Sequence, residues 1–196
     1  MRSTIEVLQS AWETLRTAEL GLSDLQSGVA ERRLPGLRNA IVFGRAVTNV
    51  LENLRSCDAG FDSWYKAQSD VLAMDADMKF VYKLRSEIFK EGSLPVTSML
   101  NIRELDTALD LEAFGSPPPG ATCTFVGGDG LGWVVALPSG TEEKYYAQVP
   151  PEVGTVETLF VKTNGCSRDA PELIERYLTR MRELLDEAER RFGRAG

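Results

Sequence analysis

The strongest constraint on this chain is a change of period at Pro95. Before it, apolar residues return every three or four positions, the repeat of a helix with one buried face. After it they fall into short runs rich in β-branched and aromatic residues, separated by turn formers. The expected class is α+β: an antiparallel helical bundle, an antiparallel β-rich segment and a long C-terminal helix. The corresponding boundaries are 1–95 for the bundle, 96–164 for a small sheet and 165–196 for the last helix, which packs on the bundle or on the sheet.

Within the bundle, the first helix is expected from Ser3 to Gln26, with Ile5, Leu8, Trp12, Leu15, Leu22 and Leu25 near one face and Gly21 as a place to bend. Pro35-Gly36 reads as a turn. A second helix then runs from Leu37 to Ser56, where Gly44 in mid-helix points to a close contact with a neighbour. Asp62 and Asp75 stand where N-caps of a third and a fourth helix belong, and Gly92 stops the fourth. Short connections favour antiparallel neighbours.

Beyond Pro95, VTSMLNIREL, DTALDLEAF, TCTFV, WVVAL, KYYAQV and TVETLFV are expected to build one antiparallel sheet of four to six strands. Leu109 and Leu111 alternate with Asp110 and Glu112, as in a strand with one wet face. The glycine-rich GGDGLG at Gly127–Gly132 runs into WVVAL rather than into a helix, so it is a hairpin turn and not a phosphate loop. The last helix has Asp169 and Glu172 in capping-box register, Pro171 in its first turn, and an apolar side from Leu173 to Phe192.

Histidine is absent from all 196 residues, which removes imidazole as base, triad member or metal ligand within the chain. A formal net charge of −7 argues against a broad nucleic-acid-binding surface. Cys57, Cys123 and Cys166 are neither a disulfide framework nor a metal pattern, and suggest a reducing cytoplasm. The N-terminus does not read as a signal peptide, and no run is long enough to span a membrane. Asp58 and Asp62, and Asp75 and Asp77, read as helix caps, so neither a metal nor a cofactor is expected. Cys57 reads as a packed thiol, and Trp133, Tyr145, Tyr146 and Phe160 as mostly sheet core rather than a stacking platform.

The segment LRSEIFKEG, at the end of a helix pair begun by LRNAIVFGRAVTNVLENL, resembles the HEPN superfamily of small helical bundles over roughly residues 37–92. That family's hallmark is Arg-x4-6-His, often Arg-Asn-x-x-x-His. In its ribonuclease members the arginine and histidine act without metal, normally across a dimer cleft, to promote attack of the ribose 2′-OH on the adjacent phosphate. Carried over, Arg85 falls on the arginine, Ser86 on the position often held by asparagine, and Lys90 on the histidine. A second Arg-Asn pair, Arg38-Asn39, also lacks a following histidine.

Lysine in water titrates near ~10.4, so a neutral lysine base needs a drop of about three pKa units, roughly 4 kcal/mol, and Glu87 and Glu91 push the other way. Binding a phosphate is easier than cleaving one. The resemblance therefore implies a non-catalytic binding or dimerisation module, working as a homodimer or with a protein partner. Arg38, Arg45, Arg85 and Lys90 are its candidate phosphate- or partner-binding cations. Two alternatives stand beside it: a metal-independent ribonuclease of a toxin or defence system, with RNA as partner and Arg85 and Lys90 catalytic, and a small-ligand or nucleotide-binding bundle.

Overall fold

A computed structural model describes residues 2–27, 29–102, 115–127, 130–150, 153–161 and 167–193. The fold is α+β. Its helices are α1 (Thr4–Gln26), α2 (Ala30–Leu51), α3 (Phe61–Met74), α4 (Ala76–Glu91) and a long α5 (Ala170–Phe192), with a 3-10 helix (Glu52–Ser56) after α2. Its strands are β1 (Val96–Ile102), β2 (Ala121–Gly127), β3 (Gly130–Ala136), β4 (Glu142–Tyr146), β5 (Gly154–Val161) and β6 (Ser167–Asp169). The chain divides into a helical unit, Met1–Gln26, Leu34–Leu94 and Pro171–Gly196, and a β-rich unit, Ser27–Arg33 and Pro95–Ala170.

In the helical unit the last helix lies among the others. Its apolar side, Leu173, Ile174, Tyr177, Leu178, Met181, Leu184, Leu185 and Phe192, is buried throughout. Phe192 meets Trp64 edge-on at 5.2 Å and Phe61 at 5.9 Å. Polar contacts fix its rotation: Trp64 Nε1 donates to Glu187 at 2.9 Å, Trp12 Nε1 to Glu189 at 3.1 Å, and Arg182 pairs with Glu19. A buried indole N–H needs such an acceptor, since leaving it unpaired costs about 1–3 kcal/mol.

Pro35-Gly36 is not a turn. Both residues lie inside α2, which begins at Ala30 rather than Leu37. Gly36 serves a helix crossing instead, because a Cβ on it would stand 2.6 Å from the Gly21 carbonyl oxygen, and one on Gly21 would stand 2.6 Å from the Gly36 oxygen. Only two glycines let these backbones approach so closely. That crossing also sets the phase of α1. Val7, Ala11, Leu15, Ala18 and Leu25 are its buried stripe, while Ile5, expected on that stripe, is 66% exposed.

Asp62 does not cap α3. The N-cap is Gly60, whose N–H donates to Asp58 Oδ1 at 2.7 Å, and Asp62 pairs with Arg55 at 2.6 Å. The fourth helix starts and stops as expected. Asp75 Oδ1 accepts from the N–H groups of Asp77 and Met78 at 2.8 and 3.2 Å, and Gly92 closes the helix at φ 65°, a left-handed conformation that suits glycine.

The β-rich unit holds two three-stranded sheets rather than one. β2, β3 and β4 form an antiparallel meander in which Gly127 faces Gly130, so GGDGLG joins two hairpin strands, with residues 128 and 129 outside the described residues. Pro150 follows β4, and a residue without an N–H cannot extend a ladder, so the chain leaves that sheet there. β5 instead pairs antiparallel with β1, from Val96 opposite Phe160 to Ile102 opposite Gly154, and with β6 on its other edge. The strand expected around Leu109 and Leu111, and Cys166, lie outside the described residues.

Candidate functional site

α2, α3, α4 and α5 line a cavity of about 330 Å³, open on one side to solvent, within the helical unit. Each helix contributes side chains one turn apart, which share a face at that spacing: Arg45 and Thr48 from α2; Tyr65, Ser69, Leu72 and Ala73 from α3; Met78, Lys79 and Tyr82 from α4; Tyr177 and Met181 from α5. Thr48, Met78, Tyr177 and Met181 are buried, whereas Ser69, Ala73, Lys79 and Tyr82 are exposed. The cavity thus has an apolar floor and a polar rim.

Gly44 determines how Tyr177 sits in that floor. A Cβ on Gly44 would stand 2.5 Å from Tyr177 Cε1 and 2.9 Å from Leu178 Cδ2, so the ring packs directly against the α2 backbone. The close contact expected at Gly44 is therefore a contact with the aromatic ring of α5. Tyr177 is 3% exposed, and its hydroxyl has no hydrogen-bond partner among the described residues. Burial pushes its phenol well above the usual tyrosine value of 10.0, against an opposing pull from Arg45.

The other phenol in the cavity is satisfied. Tyr65 donates its hydroxyl to Glu52 at 3.2 Å, and its pKa is raised by burial first and by the Glu52 carboxylate second. Thr48 donates to the Arg45 carbonyl oxygen at 3.0 Å. Arg45 itself reaches the neutral Asn49 amide oxygen at 3.3 Å and lies 5.4 Å from the centre of the Tyr82 ring.

The cations singled out from the sequence are dispersed. Arg45 lines the cavity. Arg38 donates to the Gly92 carbonyl oxygen at 2.8 Å, at the C-terminal end of α4, a favourable place for a cation beside unpaired carbonyls. The two contacts, Arg38 with Gly92 and Arg45 with Tyr82, show α2 and α4 running antiparallel. Arg85 is half-buried and stacks 4.4 Å over its own neighbour Phe89, and Lys90 is exposed. Five residues apart on one helix, Arg85 and Lys90 point about 140° away from each other, so α4 alone does not converge them on one phosphate. Glu87 pairs with Lys83 at 3.7 Å.

The paired aspartates also have structural duties, since Asp58 and Asp75 accept from backbone N–H groups and Asp77 holds Arg176 at 3.2 Å. Cys57 lies 3.3 Å from the Arg2 carbonyl oxygen. The aromatics of the β-rich unit are split: Trp133 is buried with Tyr145 tilted against it at 6.2 Å, Tyr146 meets Phe125 edge-on at 5.4 Å, and Phe160 is buried. No helix among the described residues is long and apolar enough to cross a membrane.

No family model, curated protein or solved structure matches the chain. The site's chemistry has to be read from its own residues. Sequence reasoning named Arg45 but placed Tyr177 simply in an apolar stripe. The available signal was a tyrosine in that stripe, needing a partner for its hydroxyl, together with an unexplained glycine in mid-helix.

Proposed function

We propose that this chain is a non-catalytic binding module whose helical unit takes up a small organic ligand in the cavity between α2, α3, α4 and α5. The observation that carries this reading is the cavity itself, about 330 Å³ with Leu72, Met78, Tyr177 and Met181 among its lining residues. The size falls at the lower end of the ~300–1,000 Å³ usual for small-molecule sites, and apolar walls with a few polar groups match their usual make-up. The HEPN-like resemblance of residues 37–92 fits this reading as the identity of the bundle, with Lys90 in the place of the family's histidine.

Methionine methyl groups provide the test. Met78 and Met181 line the cavity, whereas Met74 is 82% exposed and lies outside its lining. In a screen of neutral and charged fragments against ¹³C-methyl-methionine protein, binders should shift the Met78 and Met181 signals and leave Met74 in place. A screen in which no fragment moves either cavity signal rejects the reading.

A homodimer is a second reading with its own support. Tyr82 and Phe89, two turns apart on α4, are 56% and 61% exposed, with Arg85 on the same stripe. Sedimentation equilibrium should find a dimer that Phe89→Asp dissociates; a monomer at high concentration removes this reading.

A further inference from the structure

Four arginines of the helical unit are paired with acids: Arg55 with Asp62, Arg176 with Asp77, Arg180 with Glu183 and Arg182 with Glu19. Arg38, Arg45 and Arg85 are not. Arg38 donates to a backbone carbonyl, Arg45 to an amide oxygen, and Arg85 stacks on a ring. Among the described residues none of the three has a carboxylate within ion-pair distance, in a chain with 29 acidic and 22 basic residues.

These three share one face. Arg38 and Arg45 stand two turns apart on α2 and so point the same way, about 10 Å from each other along its axis. Arg38 meets Gly92 and Arg45 meets Tyr82, which brings that stripe against α4 and sets Arg85 at a level between them. Around α4, Arg85 and Phe89 lie within about 60° of Tyr82, whereas Asp77, Glu87 and Glu91 lie about 140–180° away from it. From Leu34 to its end at Leu51, α2 has no acidic residue. The face therefore presents three guanidinium groups, with no carboxylate from α4 or from this length of α2. Arg45 and Arg85 stack on Tyr82 and Phe89, rings that remain 56% and 61% exposed.

Spread along a groove rather than gathered at a point, these cations suit a chain-like anion and not a single phosphate. A guanidinium can take a carboxylate through two parallel N–H bonds, and stacking holds Arg45 and Arg85 in place before a partner arrives. The exposed rings beside them offer contact to apolar side chains. Charge favours a different occupant from the second copy considered above, because two such faces would set arginine against arginine. A nucleic-acid strand would run on past the arginines over a molecule of net charge −7, whereas a short peptide ends with them.

We infer that the face between α2 and α4 docks a short acidic segment of a protein partner, its carboxylates on Arg38, Arg85 and Arg45 and its apolar side chains on Tyr82 and Phe89. The peptide Ac-EEFEDLEE-NH2 and its amide counterpart Ac-QQFQNLQQ-NH2 are matched probes of this. In calorimetric titrations of the full chain at low salt, the acidic peptide should bind at least about tenfold more tightly than the amide one, the value of one charge-assisted hydrogen bond. Added salt should narrow that gap. Arg38→Gln and Arg85→Gln should each weaken the acidic peptide by about threefold or more and leave the amide peptide unchanged. Phe89→Ala should weaken both peptides, and Arg180→Gln, outside the face, neither. Equal binding of the two peptides, no binding of either, or a preference that survives both arginine substitutions overturns the assignment. So does an oligouridylate of equal charge that binds more tightly than the acidic peptide, which gives the face to a nucleic acid, or a dimer that Phe89→Asp dissociates, which gives it to a second copy.

Discussion

Replacing Tyr177 with phenylalanine removes one buried oxygen and keeps the ring that packs on Gly44. In most buried sites losing a tyrosine hydroxyl also loses a hydrogen bond, and the protein is destabilised. Here the hydroxyl has no partner among the described residues, so the folded state carries its desolvation without return. Tyr177→Phe is therefore expected to stabilise the ligand-free protein by about 1–3 kcal/mol. For a chain of this length each kcal/mol raises the thermal midpoint by roughly 2–4 °C.

The pH dependence follows from the same burial. The folded phenol is raised above its ordinary value of 10.0, so below pH 10 both folded and unfolded states keep the proton and titration contributes no difference. Above pH 10 the unfolded chain releases it first, and the wild type loses stability by up to about 1.4 kcal/mol per pH unit while the variant does not. Urea titrations of both proteins at pH 7 and at pH 11 measure the two effects. The advantage of Tyr177→Phe should be present at pH 7 and larger at pH 11. A variant less stable than wild type by about 1 kcal/mol at pH 7 would mean that the hydroxyl is already bonded, for instance to an ordered water, and would refute the reasoning.

Three further substitutions probe the helical unit. Gly44→Ala would stabilise an exposed helix by about 1 kcal/mol, but here it should destabilise by about 1–3 kcal/mol and displace the Tyr177 ring; urea denaturation gives the sign. Glu187→Ala removes the acceptor of the buried Trp64 indole and of Gln68, and should cost about 1–3 kcal/mol in the same assay, with Glu187→Gln costing less. Arg85→Ala loses a stacking contact with Phe89 worth about 0.5–1 kcal/mol, and RNA incubated in EDTA should stay intact with wild type and variant alike; cleavage by wild type alone would establish the ribonuclease alternative.

Features written in a few neighbouring residues were legible in the sequence. Asp75 and Gly92 bound α4 because a cap and a left-handed glycine act within one turn. The buried side of α5 was legible because its period is strong. Pro35-Gly36 misled because its local meaning is a turn, whereas the meaning realised is a crossing with Gly21, residues away in another helix. The division into two sheets depends on β5 choosing β1 across a long stretch of chain, which no local pattern specifies. The cavity was hidden for the same reason. Its lining comes from four helices, so Arg45 could be picked out as a cation and Gly44 as a contact point without either revealing Tyr177 opposite them.

A crystal structure grown with the tightest-binding fragment of the methionine screen tests the central claim most directly. A ligand-binding cavity requires electron density for the fragment among α2, α3, α4 and α5, against Met78 and Met181. Ordered water alone in the cavity, with the fragment absent or bound elsewhere, would contradict it.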